Sequence, residues 1–138
     1  MPTPFANPAP LIQSALSSAP APTPMGGDIQ SGTYYLTSLT YHQTTGACTL
    51  YSYRGTLFVD RTSSTEGTSR EAFDVVDPTS SARRWFGYTT SGTLQRLWTS
   101  PCLTNSISRM YTATATTLAF IYVPGSSCGY SVETYTKQ

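Results

Sequence analysis

The chain has 138 residues, which is enough for one domain with a modest hydrophobic core. Charged side chains make up only 11% of it and the formal net charge is +1, so the concentrated basic patch typical of nucleic-acid binders is absent. The polarity comes instead from hydroxyl groups, because Thr, Ser and Tyr together exceed a third of the residues. Thr and Tyr favour strands, so we expect an all-β domain that does not bind nucleic acid.

The N-terminal segment differs in composition from the rest of the chain. Its first 24 residues hold seven of the ten prolines and no charged side chain, which is typical of an extended tether. The stretch from Leu11 to Leu16 is apolar enough to dock, either as a short helical turn against the domain or as a strand added to a neighbouring subunit. We predict a tether or docking arm over residues 1–27, followed by a β-domain over residues 28–138. The candidate self-association residues of the arm are Leu11, Ile12 and Leu16.

The β-domain contains eight segments that are typical of strands, separated by short turn-forming segments. Ser91-Gly92 is typical of a tight hairpin, and Pro124-Gly125 is a turn dipeptide. Eight short antiparallel strands joined by short loops predict an up-and-down barrel, which leaves no exposed sheet edge. A β-sandwich is the alternative. The predicted strands span residues 32–41, 48–59, 70–76, 83–90, 93–99, 109–114, 117–123 and 129–136.

One of these strands is apolar on both faces. The segment from Leu118 to Val123 lacks the alternation expected of a strand with one face in water. We therefore expect its outer face to be covered, either by the N-terminal arm or by another subunit.

The three cysteines and the single histidine are predicted to gather at one end of the barrel. Loops of an up-and-down barrel alternate between its two ends, so the first, third, fifth and seventh loops share one end. Cys48 and His42 border the first of these loops, Cys102 lies in the fifth and Cys128 closes the seventh. A disulfide between Cys102 and Cys128 is the pairing we expect, and barrel closure also makes a Cys48–Cys128 bond feasible.

One thiol is then left over, either buried or open to intermolecular pairing. The three cysteines and the histidine also contain the donor types of a Cys₃His zinc site, but no close cysteine pair marks such a site. We predict no metal site.

Two arginine-rich segments, 83–86 and 96–98, contain the only two tryptophans. They indicate either a surface that stacks a planar ligand, a sugar or a partner protein, or core tryptophans with arginine stems covering the strand edges. Tyr51, Tyr53 and Leu57 alternate on one face of the second strand. The residues that we expect to line the interior or mouth of the barrel as a ligand site are Tyr51, Tyr53, Leu57, Trp85, Trp98 and Tyr111.

Motifs of enzyme active sites are absent from the sequence. No serine lies in a G-x-S-x-G elbow, no glycine-rich phosphate loop occurs, and no acidic spacing implies two carboxylates facing each other across a cleft. We therefore predict no catalytic residue, no cofactor and no enzymatic activity. A cleft with two convergent titratable groups would favour an enzyme.

The segment Gly32-Thr33-Tyr34-Tyr35-Leu36-Thr37-Ser38 resembles the first strand of the calycin barrels, the lipocalin and avidin-like group. That strand opens with G-x-W, and here Tyr34 takes the aromatic position. The closing Tyr135-Thr136-Lys137-Gln138 is similar to the last strand of secreted bacterial β-barrel lipoproteins. The resemblance covers residues 30–138 and implies a secreted barrel whose interior or mouth holds a small apolar ligand.

We therefore predict a non-enzymatic binding domain for a small ligand or a partner protein, secreted or tethered to a cell surface. The alternative is an extracellular structural subunit that self-associates through its N-terminal arm. In that alternative the protein forms a homo-oligomer. No stretch approaches the roughly 20 apolar residues of a transmembrane helix. The first residues lack the basic leader and apolar run of a signal peptide, so we expect Met1 to stand where a signal was removed.

Overall fold

The computed structural model describes residues 5–76, 79–98 and 106–138. Within these ranges the chain forms ten strands and no helix. The strands are β1 (Ile12–Gln13), β2 (Ala15–Ser17), β3 (Gly32–His42), β4 (Ser52–Arg61), β5 (Glu66–Val75), β6 (Ser80–Ser91), β7 (Leu94–Trp98), β8 (Ser106–Ala113), β9 (Thr117–Tyr122) and β10 (Tyr130–Lys137).

Strands β3 to β10 close into an eight-stranded antiparallel barrel. Each strand pairs with the next one along the chain, and β10 returns to pair with β3, from Tyr130 opposite His42 to Lys137 opposite Tyr34. The tight turn predicted at Ser91-Gly92 joins β6 to β7, with Gly92 at a φ of 59°. The predicted up-and-down barrel of eight strands is therefore confirmed, and the β-sandwich alternative is wrong.

Aromatic side chains fill much of the barrel interior. Strand alternation turns every second residue inward, and the largest of these inward side chains are almost completely buried. Each buried aromatic ring contributes on the order of 2 kcal/mol through the apolar surface that it removes from water. The most deeply buried rings are those of Tyr34, Tyr88, Tyr111, Tyr135 and Phe120.

The N-terminal arm completes the barrel wall where β3 and β4 separate. These two strands pair only between Gly32–Tyr35 and Thr56–Val59. Farther along, β1 bonds to the edge of β4 and β2 runs parallel to the edge of β3. Between them lies the buried Ser14, whose Oγ accepts a 3.1 Å hydrogen bond from the Tyr51 amide. The apolar stretch of the arm thus docks on its own barrel as two short strands, and the predicted helical turn is wrong.

Polar and aromatic contacts hold the arm on both sides of these strands. Before them, the Asn7 amide donates to Asp74 at 2.8 Å, and the Phe5 ring packs edge-on against Trp85 with 4.9 Å between ring centroids. After them, residues 20–24 lie over the outer faces of β8 to β10 and border a cavity with Ile121. Ile121 is only 2% exposed, so the arm covers this part of the outer face, whereas Val123 at the end of the predicted segment is 67% exposed.

A disulfide joins the loops after β3 and β9. Cys48 bonds to Cys128 with 4.9 Å between their Cα atoms, and the neighbouring Thr45 amide donates to the Ser127 carbonyl at 2.9 Å. The expected Cys102–Cys128 pairing is therefore wrong, because closure of the barrel brings the first loop, rather than the fifth, against the last. Cys102 lies outside the described residues. We call the end of the barrel that carries the loops after β3, β5 and β9 the disulfide end.

Candidate functional site

A cavity of about 310 Å³ lies inside the barrel toward the disulfide end. We call it the mouth cavity. Its wall comes from β5, β6, β9 and β10, and five of its six side chains carry a polar group. The lining residues are Glu71, Phe73, Arg84, Tyr122, Ser131 and Glu133.

Strand alternation and register explain why these residues meet. Glu71 and Phe73 are two apart on β5, and Ser131 and Glu133 are two apart on β10, so each pair faces the same side of the sheet. Arg84 lies directly opposite Glu71 in the β5–β6 pairing. Barrel closure then brings β5 and β10 across the interior from each other, so two carboxylates face one cavity.

Arg109 lies beside the mouth cavity and neutralises one of its carboxylates. It is only 6% exposed, and its Nη1 lies 3.6 Å from Glu71 Oε2. The same Nη1 donates to the Tyr122 hydroxyl at 3.0 Å, and Nε donates to Gln95 Oε1 at 2.7 Å. The guanidinium also lies 3.3 Å from the centroid of the Phe120 ring. Arg109 is therefore fixed from four sides, as a buried charge requires.

Glu133 has no such counter-charge. Among the residues that the structure describes, it forms no ion pair, and its recorded hydrogen bond is a long one of 3.5 Å from the Tyr122 hydroxyl. Burial and, secondly, the nearby charge of Glu71 raise the pKa of Glu133 to about 7, although Arg109 opposes the shift. This carboxyl therefore changes its protonation state near neutral pH, whereas Glu71 keeps a buried cation beside it.

Three polar atoms inside the barrel have unused hydrogen-bonding capacity. Arg109 Nη2, the Tyr135 hydroxyl and Ser69 Oγ are buried and have no partner within the described ranges. Tyr135 is only 1% exposed, and its pKa is raised by burial first and then by the charges of Glu133 and Glu71. Unpaired polar groups are rare in protein interiors and each calls for an explanation. Two of the three belong to residues that adjoin the mouth cavity, since Arg109 contacts Glu71 and Tyr122, and the charge of Glu133 acts on Tyr135.

The six residues predicted to form a ligand site do not all lie together, since four share the barrel interior and the two tryptophans lie outside it. Tyr53, Leu57 and Tyr111 belong to the barrel core, and Tyr51 packs against it with its ring 6.4 Å from that of Tyr53. None of the six lines the mouth cavity. The two tryptophans take outward positions, since Phe86 and Leu97 beside them turn inward. Trp85 packs on the arm and Trp98 lies over the backbone of Gly87, so the structure places both on the outer surface.

The mouth cavity itself was missed by the sequence analysis. Its two acidic residues are separated by about 60 positions along the chain, and only barrel closure makes them neighbours. A signal did exist, because four charged residues occupy positions at which strand alternation points inward: Glu71, Arg84, Arg109 and Glu133. In a chain with 11% charged residues, four charges on inward positions indicate a site.

The other described residues singled out from the sequence, those of the arm, the histidine and the two disulfide-bonded cysteines, lie outside the mouth cavity. Leu11 and Leu16 of the arm are 47% and 52% exposed, whereas Ile12 packs partly against the core. His42 Nδ1 lies 3.0 Å from the Ala19 carbonyl oxygen. With two thiols in a disulfide the Cys₃His zinc alternative is wrong, and in the described part of the chain no group of three or more metal-binding side chains occurs.

Replacing Glu133 with Gln should alter how stability depends on pH. The raised pKa means that the folded chain keeps a proton on Glu133 that the unfolded chain releases above about pH 4.5. The stability from this proton is complete below about pH 4.5 and is lost as pH rises through about 7. We expect Glu133→Gln to be about 3 kcal/mol more stable than the native chain at pH 8 and nearly equal at pH 4.5.

Urea unfolding at a series of pH values measures this difference. Glu66→Gln, at an exposed carboxylate, is the control and should track the native chain throughout. An equal pH dependence for the native chain and Glu133→Gln would contradict the assignment.

Because known proteins offer no match to this chain, its function is inferred from the geometry of the mouth cavity. No protein-family model matches the chain, and neither a curated protein nor a solved structure matches it. In the described part of the chain, no helix is long and apolar enough to cross a membrane.

Proposed function

We propose that this protein is a non-enzymatic binding domain for a small polar molecule, which occupies the mouth cavity. Glu71 and Glu133 meet the condition given above for an enzyme, since two titratable groups converge on one cleft, but the ion pair of Glu71 with the buried Arg109 leaves one carboxylate rather than two for acid–base chemistry. The main support is that ionisable side chains line a cavity inside a barrel whose other inward positions are mostly apolar. Taking charged groups out of water costs stability unless they are paired, and the partly buried Glu133 has no ion pair in the described ranges. Such groups cluster at functional sites more often than elsewhere.

The dimensions of the mouth cavity favour a small ligand. Its volume of about 310 Å³ is at the lower end of the roughly 300–1,000 Å³ usual for small-molecule sites. The calycin resemblance implies an apolar ligand, but Glu71, Arg84 and Glu133 in the wall favour a polar one. We also propose that the domain is related to the calycin barrels, and its closed antiparallel barrel is compatible with such a relationship.

The disulfide supports an extracytoplasmic setting. Structural disulfides persist mainly in oxidising compartments. The Cys48–Cys128 bond joins two loops that are 80 positions apart in the sequence and lie at the same end of the barrel. We therefore propose that the domain acts outside the cytoplasm, either secreted or attached to a cell surface.

Self-association through the arm is the second candidate function. Leu11, just before β1, and Leu16, in β2, are apolar side chains that remain about half exposed. Since these strands already bond to their own barrel, a neighbouring subunit would contact the exposed leucines and leave the strand pairing in place.

Native mass spectrometry of the protein from its natural source tests both candidates. Binding predicts an extra small mass that disappears on denaturation, and self-association predicts whole-subunit multiples without extra mass. Ser131→Phe should fill the mouth cavity and abolish the extra mass. Ser38→Phe, the same substitution at an exposed position, should retain it. Extra mass that persists in Ser131→Phe, or no extra mass in any form, would contradict the proposed binding function.

A further inference from the structure

We propose that the ligand of the mouth cavity carries a primary ammonium group, held by the carboxylate of Glu133 beside the rings of Phe73 and Tyr122. This inference rests on the proposed binding function and specifies the chemical class of the ligand.

The arrangement of charges around the cavity leads to this proposal. Glu71 has Arg109 at 3.6 Å, and the other recorded contacts of Arg109 go to Gln95, Tyr122 and Phe120. Arg84 borders the cavity but is solvent-exposed, and in the described part of the chain it forms no ion pair. Within the described ranges, Glu133 is thus the cavity carboxylate without a cation within ion-pairing distance, so a positively charged group of the ligand would supply the partner that these residues do not.

The neutral lining of the cavity fits the same ligand. Phe73 and Tyr122 contribute aromatic rings, whose faces attract cations. A primary ammonium has three N–H donors, and both the Glu133 carboxylate and the Ser131 hydroxyl can accept from them. An anionic ligand would meet the carboxylate of Glu133, which repels it, and the guanidinium of Arg84, which attracts it, so probes of both signs must be compared. The remaining volume suits one small ring or a short chain attached to the amine.

Binding of a cation should be coupled to release of a proton from Glu133. The ammonium stabilises the charged carboxylate, while the empty site holds a proton at and below about pH 7. Affinity should therefore rise by about tenfold between pH 6 and pH 8, as linkage to one proton requires. The titratable and charged groups around Glu133 that set this coupling are Glu71, Arg84, Arg109, Tyr122, Tyr53 and Tyr135.

Isothermal titration calorimetry of the full chain with benzylamine tests the inference. Benzylamine combines a primary ammonium with one aromatic ring, and benzoate is the matched probe with the opposite charge. We expect saturable benzylamine binding at pH 8, about tenfold weaker binding at pH 6, and no binding of benzoate. Glu133→Gln should lose at least about tenfold in affinity together with the pH dependence, because it removes the charged acceptor of the ammonium. Glu66→Gln, at an exposed carboxylate, should bind like the native chain.

The outcomes separate this inference from the proposed function. Benzoate binding in place of benzylamine, or benzylamine binding unaffected by Glu133→Gln, would overturn the ammonium inference and leave a small-molecule site standing. If neither probe binds while the natural protein loses a small mass that Ser131→Phe abolishes, the ammonium inference alone fails. If neither probe binds and no mass is lost, both proposals fail. Near-UV circular dichroism of each variant confirms that the barrel is folded.

Discussion

Replacing Arg109 with Met should lower the free energy of unfolding by about 3–5 kcal/mol, because it leaves a buried charge without its partner. Glu71 is 7% exposed and loses the guanidinium that lies 3.6 Å away. Gln95 and Tyr122 lose their hydrogen-bond donors at the same time. Urea unfolding at pH 7 measures the loss. Arg96→Met is the control, since Arg96 is solvent-exposed on the neighbouring strand and should cost less than about 1 kcal/mol.

A second substitution separates this electrostatic effect from simple loss of packing. Adding Glu71→Gln to Arg109→Met removes the unpaired charge, so the double variant should recover part of the lost stability. A double variant as unstable as the sum of the two single variants would contradict the ion-pair explanation. A loss from Arg109→Met no larger than that from Arg96→Met would contradict it as well.

Removing the disulfide should cost about 4 kcal/mol. The bond joins residues separated by 80 positions, and the chain-entropy relation gives a stabilisation of about 4–5 kcal/mol for a loop of this size. The variant Cys48→Ser with Cys128→Ser should therefore unfold at a clearly lower urea concentration than the native chain. The native chain measured with a reducing agent should show the same loss.

The reducing agent also provides the control for this prediction. The double-serine variant has no Cys48–Cys128 bond to reduce, so its unfolding midpoint should not change when the agent is added. The prediction would be contradicted if the unfolding midpoint of the native chain did not change once reduction had opened the bond. Backbone pairing, such as that of Thr45 with Ser127, would then be enough to hold the two loops together.

The barrel could be predicted from the sequence because its signals are local. Alternating Tyr and Leu positions, as at Tyr53 and Leu57, mark a strand with one face in the core, and Ser91-Gly92 marks a hairpin. The strands of the arm carry no such signal, since two or three residues are too few to show a period. They form because β3 and β4 separate and leave edges to be bonded, which is a property of the closed barrel.

The site could not be predicted for a related reason. Spacing along the chain does not reveal this pair of carboxylates, because Glu71 and Glu133 lie on strands that meet only across the barrel. The cysteines show the same limit. Loop parity placed Cys48 and Cys128 at one end correctly, but which loops touch depends on how the last strand returns to the first. Local patterns thus predict strands, and closure determines which of their residues become neighbours.

The disulfide also determines what a protease could do to this domain. Every hairpin loop from the end of β4 to the start of β9 lies between Cys48 and Cys128. A single cut in any of these loops leaves the two fragments joined through sulfur, so all eight barrel strands stay in one covalent molecule. Cleavage would therefore nick the protein without releasing a strand, and a nicked chain would keep the mass of the intact one until it is reduced, apart from one added water.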